Sequence, residues 1–370
     1  MDSTSRNRYA MQLIKRLSAA LQTMASQRPG PNLSRIATSL GVSVATVSNA
    51  LSGKGRVSDA LIERIRTHAA ELGYVPSQAG RALRTGRSGV LGLVLPDIAN
   101  PLFPKIAQAI EYAASVAGYG VLIADSRGDI TAQTEAINRL VERGVDGMVV
   151  VPRRATRISA ASCPVAVIDT ASTPGNTVAA DHWQGGKEIA AHLAGLGHKQ
   201  ILIIGNNHES NVQNDRAGGI RAGLQHGMRS ETLWIERLEN ETGAGCRLGL
   251  AEKARQGFTA FAALSDLQAL RALTELQQDG ISVPADVSVT GFDDLIWSPV
   301  VTPSLTTVRM DMDTIAEIAV SALVDRINDS GTREGVLVTA DTERVPMQLI
   351  IRQSSGLVNP APKTSEMENL

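Results

Sequence analysis

The segment GVSVATVSNALSGKGRVS, residues 41–58, consists mainly of small and hydroxyl-bearing side chains. It contains no Cys, no His and no carboxylate, and its two cations, Lys54 and Arg56, come only near its end. Gly41 interrupts one apolar-periodic stretch, and Ser43 is a favourable N-cap for the next. This pattern predicts the turn and second helix of a helix-turn-helix. We expect three short helices, over residues 33–40, 44–51 and 59–72.

The predicted second helix carries side chains suited to the major groove of DNA. The second helix of such a unit lies in that groove, with its first residues against the base edges. The methyl groups of Val44 and Ala45 can contact a thymine methyl, and Asn49 can hydrogen-bond a base edge or a phosphate. Hydroxyl groups that can bond phosphates, and so fix the register, belong to Ser43, Thr46 and Ser48. A three-helix bundle used for protein contact is the alternative.

The first quarter of the chain is basic, and the remainder is acidic. Residues 1–88 hold 13 Lys and Arg against 4 Asp and Glu, whereas the whole chain holds 36 and 37. A basic segment on an acidic body favours a polyanion as the partner of that segment alone. A solvated basic tail is the alternative interpretation.

From Val90 onward, short apolar runs alternate with amphipathic stretches. Runs such as VLGLVLPD (90–97) and KQILIIG (199–205) predict buried strands, and helical patterns lie between them. The alternation predicts parallel sheets covered by helices on both faces, and the segment is long for a single sheet. We therefore expect a small all-α domain followed by an α/β core of two doubly wound parallel-sheet lobes. Ligands in such lobes bind beyond the carboxyl ends of the strands.

Several functional classes find no support in the sequence. No apolar run approaches the roughly 20 residues needed to cross a bilayer, and the first residues lack a signal-peptide core. Cys163 and Cys246 stand far apart, which indicates buried thiols in a reducing cytoplasm. Phosphate-loop, zinc-site and serine-hydrolase motifs are absent, so we expect no metal, no cofactor and no enzymatic activity. We interpret the glycine-rich GAGCRLG (243–249) as the start of a helix.

The stretch NLSRIATSLGVSVATVSNALSGKGRVSDALIERIRTHAAELGYVPSQAGRALRTGRS (32–88) resembles the lactose-repressor (LacI/GalR) family of bacterial transcription regulators. The similarity extends to about Ser355, with weaker matches at IANPLF (98–103), SDLQA (265–269) and VSVTGFDD (287–294). It implies a cytoplasmic, effector-controlled regulator with a core like that of the periplasmic binding proteins. It also implies a homodimer on a nearly palindromic DNA operator.

The resemblance implies a hinge helix between the DNA-binding domain and the core. In the family a Leu of this helix wedges into the minor groove, a device that bends DNA so that more protein contacts it. Leu83 holds that place, and Arg56, in the loop after the second helix, joins the DNA-binding set. Gly80 stands where the family usually has Ala, and Gly disfavours a helix by ~1 kcal/mol.

The resemblance further implies that a small effector binds between the two lobes. Carboxylates accept hydrogen bonds from vicinal hydroxyl groups and an aromatic ring stacks on a sugar ring, so a sugar or sugar derivative is expected. A sugar phosphate or a nucleoside stays open, because Ser265 replaces an amide and Met310 replaces a polar residue of the family pattern. The residues carried over as effector ligands are Asn100, Phe103, Asp181, Arg216, Ser265, Asp266 and Asp293.

The predicted organisation has five parts. The predicted parts are an N-terminal extension (1–31), a helix-turn-helix domain (32–76), a hinge (77–88), an effector-binding and dimerisation core (89–355) and a disordered tail (356–370). The apolar stretch 312–327 serves either dimerisation or core packing. A sugar-binding module without a DNA function is the alternative to the regulator.

Overall fold

The computed structural model describes residues 33–52, 55, 57–74, 86–154, 156, 158, 161–173, 175–329 and 343–358. By its internal contacts the chain divides into two units, residues 1–84 and 85–370. The predicted extension, residues 77–85 of the predicted hinge and residues 359–370 of the predicted tail lie outside the described residues.

The first unit contains the three predicted helices: α1 (Leu33–Leu40), α2 (Val44–Ser52) and α3 (Asp59–Glu71). Gly41 turns the chain between α1 and α2 with a φ of +66°, a conformation that Gly adopts without a Cβ clash. The Ser43 hydroxyl accepts a hydrogen bond from the Thr46 amide at 3.0 Å, which caps α2 as expected. The core between the helices is formed by Ile36, Ala37, Val47, Ala50, Ile65 and Ala69.

The second unit begins with a four-stranded parallel sheet. Its strands are β1 (Val90–Leu95), β2 (Gly120–Asp125), β3 (Gly147–Val150) and β4 (Val165–Val167), in the order β2-β1-β3-β4. Two helices follow the first two strands, α4 (Leu102–Val116) and α5 (Ile130–Glu142). The central strand β1 is buried almost throughout because helices cover both faces, whereas β2 is an edge strand that exposes Leu122 and Ile123.

The second sheet has six strands in the order β12-β10-β9-β8-β6-β7, and only the β10–β12 pair is antiparallel. Its strands are β6 (Gln200–Gly205), β7 (Arg229–Trp234), β8 (Ala260–Ala263), β9 (Ser288–Phe292), β10 (Thr306–Met310) and β12 (Met347–Ile350). A two-stranded parallel sheet pairs β5 (Val178–Ala180) with β11 (Glu343–Val345). The helices are α6 (His182–Gly195), α7 (Asn211–Ala222), α8 (Ile235–Thr242), α9 (Leu250–Arg255), α10 (Asp266–Gln278) and α11 (Met312–Asp329).

The chain crosses between the two lobes at three places: between β4 and α6, between β10 and α11, and between α11 and β12. Helix α11 follows a strand of the second lobe but packs on α4 and β3 of the first. Its side chains Ile315, Ala319 and Leu323 are buried in the hydrophobic core there. The apolar face of residues 312–327 is therefore accounted for by core packing.

Three details of the prediction are wrong. Residues 243–249 do not start a helix, because Gly243, Gly245 and Gly249 adopt φ values of +104°, +73° and +73°, which an α-helix excludes. Cys163 is buried as expected, but Cys246 lies in this loop and is only partly buried. The sequence also failed to predict three strands, β7, β10 and β11, and one helix, α8.

Helices α6 and α7 pack in direct backbone contact through two glycines. A Cβ placed on Gly186 would overlap the Arg216 carbonyl oxygen, and a Cβ on Gly219 would overlap the Trp183 carbonyl oxygen. Neither neighbour is the flexible end of a side chain, so the helices themselves must move apart to admit a methyl group.

We expect Gly219→Ala to lower the free energy of unfolding of the core by about 3 kcal/mol, at the upper end of the usual cost of overpacking. Urea denaturation followed by circular dichroism measures the change. The matched control is Gly195→Ala in α6, where a Cβ has no neighbour within 4 Å. The control is expected to be neutral or slightly stabilising, and equal behaviour of the two variants would contradict the packing argument.

Candidate functional site

A cavity of about 420 Å³ lies between the two lobes, at the carboxyl ends of their parallel strands. On the side of the first sheet, Asp97 and Asp169 follow β1 and β4. On the side of the second sheet, Asn206, Ser265 and Asp293 follow β6, β8 and β9. This is where the doubly wound architecture was expected to bind a ligand.

Arg216, in α7, is buried against the cavity and contacts several elements at once. Its Nη1 donates to the Leu264 carbonyl at 2.7 Å, and its Nη2 lies 2.8 Å from Oδ1 of Asp293. Its Nε donates to Nδ1 of His182 at 3.3 Å, and its Cζ lies 4.7 Å from the centre of the Phe292 ring. A buried charge is costly unless it is paired, so these contacts hold the guanidinium in one orientation at the cavity wall.

Asp293 is the acid that pairs with Arg216, and its backbone is strained. It has a φ of +104°, and its amide donates to the Val308 carbonyl at 2.8 Å. The carboxylate is only 4% exposed, and its contact with Arg216 is an ion pair without the alignment of a hydrogen bond. A positive φ at a residue other than Gly costs ~1–3 kcal/mol and often marks a functional position.

His182 stays neutral beside this ion pair. Burial, followed by the positive charge of Arg216, holds the pKa of His182 well below its usual range. A neutral imidazole has one ring nitrogen that accepts, and Nδ1 of His182 accepts from Arg216. His182 therefore supports the guanidinium without repelling it.

Asp169 faces the cavity from the first lobe. Burial raises the pKa of its carboxyl, and hydrogen bonds from Thr173 and Asn211 partly oppose that rise. Thr173 donates to Oδ2 at 2.6 Å, and Nδ2 of Asn211 donates to the same oxygen at 3.2 Å from the second lobe. The carboxyl of Asp169 thus touches both lobes at the cavity.

Five of the seven predicted effector residues line this cavity: Asn100, Phe103, Arg216, Ser265 and Asp293. Asp181 and Asp266 are not among the lining residues. Asp181 caps α6, where its Oδ1 accepts from the Gln184 amide at 3.0 Å. The geometry therefore gives Asp181 a structural contact and no support for its predicted binding role.

Asp266 is fully buried behind the cavity wall. Its Oδ2 accepts from the Leu295 amide at 2.8 Å and from the Ser298 hydroxyl at 2.5 Å. Its Oδ1 accepts from the Thr307 hydroxyl at 2.5 Å. With these donors bound and no exposed surface, Asp266 has no free face for an effector.

The cavity also contains polar residues that the sequence did not single out. Oε1 of Gln213 accepts a hydrogen bond from the backbone amide of Asn206 at 2.7 Å, and Nδ2 of Asn206 donates to Oε1 of Glu236 at 2.9 Å. Asn206 directly follows the predicted strand KQILIIG, so the rule that ligands bind beyond strand ends could have found it. Glu236 lies in α8, an element that the sequence did not indicate, so no signal pointed to it.

In the first unit, α2 divides cleanly into a buried and an exposed face. Val47 and Ala50 are buried in the core of the unit. Val44 is 43% exposed. Of the other predicted DNA contacts, Ser43, Ala45 and Asn49 are exposed, Thr46 and Ser48 are half-buried, and Arg56 and Leu83 lie outside the described residues.

The described part of the chain offers neither a metal-ligand cluster nor a membrane-spanning helix. There, no group of three or more His, Cys, Asp or Glu side chains is placed to hold a metal ion. No helix within the described ranges combines the length and the apolar character needed to span a membrane.

Two parts of the chain match known family models. Residues 32–77 match the lacI family of bacterial regulatory proteins, and residues 190–355 match the periplasmic binding protein-like domain. The first range covers the helix-turn-helix unit. The second range covers most of the second lobe together with α11 and β12.

Individual proteins are similar over most of their length. The chain is 31% identical to the HTH-type transcriptional regulator MalR of Streptomyces coelicolor, over 80% of this chain and 90% of MalR. The structure superposes on the lac repressor dimer bound to operator and the anti-inducer ONPF with a TM-score of 0.73, at 24% identity over 89% of this chain and 100% of that one. A complex of the transcriptional regulator CelR with cellobiose gives a TM-score of 0.61, at 26% identity over 88% of this chain and 100% of that one.

The helix-turn-helix, the two-lobed core with its cavity and the likeness to MalR agree. The chain belongs to the lacI family of bacterial transcription regulators.

Proposed function

We propose that the protein is a cytoplasmic transcriptional repressor that reads a nearly palindromic operator through α2 and is controlled by a neutral sugar bound between the lobes. The observation that carries the proposal is that one chain combines an exposed, methyl-bearing α2 in its first unit with a cavity in its second unit that holds a buried Arg216–Asp293 pair. Effector binding and operator binding are then linked by a coupling free energy, which is reciprocal and typically ~1–3 kcal/mol.

The exposed residues at the start of α2 support DNA reading. Val44 and Ala45 add little bulk, so the helix can approach the floor of a groove ~12 Å wide and place methyl groups against thymine. The neighbouring hydroxyls and backbone amides of Ser43 and Thr46 lie at the helix N-terminus, where the helix dipole favours a phosphate. Because Val47 and Ala50 hold the opposite face in the core, substitutions on the exposed face can test binding separately from folding.

We expect Val44→Glu to weaken operator binding about 100-fold, since a lost base contact costs ~1–3 kcal/mol and the new carboxylate faces phosphates. Fluorescence anisotropy with duplexes that the wild-type protein selects from randomised palindromes measures the affinity. The control is Ala70→Glu, which adds the same charge at an exposed position of α3. Wild-type affinity of Val44→Glu would refute the proposed role of α2.

The charges of the cavity favour a neutral ligand over an anionic one. Its lining holds five carboxyl and three guanidinium side chains, and Arg216 is already paired with Asp293. Carboxylates and amides accept from hydroxyl groups, and the Phe103 ring offers a face for the CH groups of a sugar. A phosphate group would meet more negative than positive charge here. The carboxyl and guanidinium residues are Asp97, Arg153, Arg154, Asp169, Glu209, Arg216, Glu236 and Asp293.

We expect an uncharged mono- or disaccharide to raise the thermal stability of the protein, because a ligand at 100 times its Kd stabilises the folded state by ~2.7 kcal/mol. A thermal-shift screen of sugars, sugar phosphates and nucleosides measures this. Phe103→Ala should weaken the sugar about fivefold, since stacking contributes ~1 kcal/mol. Ser115→Ala, on the same helix but outside the cavity lining, is the control. Stabilisation by phosphorylated or nucleoside ligands alone would contradict the neutral sugar.

Exposed apolar side chains on the first lobe support a homodimer. They are Tyr112 and Val116 of α4 and Leu122 and Ile123 of the edge strand β2. Large apolar side chains beside an unpaired edge strand favour association, and closed dimers are the commonest assembly of soluble proteins.

We expect Ile123→Asp to shift the protein toward monomer, because it buries an unpaired carboxylate in the proposed interface. Sedimentation velocity across a micromolar dilution series measures the change. Thr131→Asp adds the same charge at an exposed position of α5 and should leave the dimer intact. Equal sedimentation of both variants and wild type would exclude this interface.

An enzymatic function is the competing class, and one constellation resembles a serine-hydrolase triad. Nε2 of His68 lies 2.6 Å from the Ser39 hydroxyl, and its Nδ1 lies 3.1 Å from Glu71. Yet the Ser39 hydroxyl also lies 2.9 Å from the Ile36 carbonyl, which offers its proton an acceptor within its own helix. The contact ties α1 to α3, and we propose no catalytic role for it.

A further inference from the structure

The turn from Asp293 to Ser298, here called the β9 turn, joins the cavity to the protein surface. Asp293 lies at the cavity wall, whereas Ile296 and Trp297 are 76% and 41% exposed. Asp294, the next residue after Asp293, also has a positive φ, at +45°. Two adjacent residues other than Gly in this region persist only where surrounding contacts hold them.

Those contacts come from three side chains of the second lobe: Asp266 is buried, Arg352 is half-buried and Arg309 is exposed. Arg309 and Arg352 donate to the two carboxylate oxygens of Asp294 at 2.7 Å and 2.6 Å. Asp266 accepts from the Leu295 amide and from the Ser298 hydroxyl, and so bonds the middle and the end of the turn. The β9 turn is therefore held at three successive points along its length.

We propose that Asp266 is a positioning residue, which locks the β9 turn so that Asp293 in the cavity and Trp297 on the surface move as one body. The proposal rests on the proposed function, because the cavity is taken to be the effector site. It assigns Asp266 a role in transmission and replaces its predicted role as an effector ligand. A change at Asp293 then reaches the surface through a chain of hydrogen bonds, without a rearrangement of α10.

The tie of Asp266 to β10 strengthens this assignment. Its Oδ1 accepts from Thr307, whose strand also supplies the Val308 carbonyl that binds the Asp293 amide. A Cβ on Gly291, in β9, would overlap Oδ1 of Asp266, so that strand approaches as closely as a Gly allows. Asp266 thus fixes the turn relative to both strands that carry it.

The charge of Asp266 responds to the cavity. Burial, followed by the negative charge of Asp293, raises the pKa of Asp266 to about 7, against the lowering effect of hydrogen bonds from Ser298, Thr307 and Leu295. The charged groups on this side are Asp293 itself and Arg216, which pairs with it. We therefore expect removal of the charge of Asp293 to lower the pKa of Asp266. A spectroscopic probe in the β9 turn can detect this shift.

Amide hydrogen exchange in the full-length protein tests whether Asp266 holds the turn. We expect Asp266→Ala to speed exchange in peptides covering 293–298 at least tenfold, because the Leu295 amide loses its acceptor. Asp266→Asn keeps an acceptor oxygen and should stay within threefold of wild type. Asp279→Asn, at the other end of α10, is the matched control. Wild-type protection of the turn in Asp266→Ala would overturn the proposal.

A second measurement does not depend on the fold of the alanine variant. Protein labelled with 5-fluorotryptophan gives a ¹⁹F resonance for Trp297, assigned with Trp297→Phe. We expect this resonance to titrate with a midpoint near pH 7 in wild type, to lose the titration in Asp266→Asn, and to titrate at lower pH in Asp293→Asn. A titration unchanged by Asp266→Asn, or by Asp293→Asn, would overturn the proposal.

Neither measurement uses an effector or DNA, so the outcome is independent of the sugar screen. If no sugar stabilises the protein but Trp297 titrates as expected, the proposed ligand is wrong and the role of Asp266 stands. If a sugar binds but Trp297 does not report Asp266, the proposed function stands and the role of Asp266 is refuted.

Discussion

The ion pair between Arg216 and Asp293 is the interaction on which the cavity depends. A guanidinium and a carboxylate are both taken out of water there, which is favourable only because other groups share the cost. The Leu264 carbonyl and a neutral His182 accept from Arg216, and the Phe292 ring covers it. The pair thus joins α7 to the ends of β8 and β9, and a ligand that contacts Asp293 acts on all three.

The cavity and the exposed face of α2 differ in how tightly their side chains are held by neighbouring residues. The cavity concentrates buried polar groups whose positions are fixed by mutual hydrogen bonds, so it can distinguish hydroxyl groups by geometry. Helix α2, which we propose to contact DNA, exposes small side chains and keeps its apolar anchors, Val47 and Ala50, on the other side. A substitution on the exposed face of α2 is therefore expected to cost little in folding, whereas one in the cavity perturbs a network of coupled hydrogen bonds.

The sequence predicted the helix-turn-helix, the two-lobed core and most strands because these rest on local patterns. Capping by Ser43, the positive φ at Gly41 and continuous apolar strands are properties of neighbouring residues. It failed at β7, RSETLW, because a half-exposed edge strand has no continuous apolar run. It failed at residues 243–249 because Gly tolerates left-handed turns as readily as a helix start.

For the site, the sequence by itself determined a set of candidate residues through its resemblance to the family, and five of them, Asn100, Phe103, Arg216, Ser265 and Asp293, line one cavity. Only the tertiary structure decided which acids face it. Asp181 and Asp266 follow strand ends too, yet one caps a helix and the other is buried against the β9 turn. The reason is that a carboxylate's role depends on which donors surround it, and those donors come from residues distant in sequence, such as Ser298 and Thr307 for Asp266.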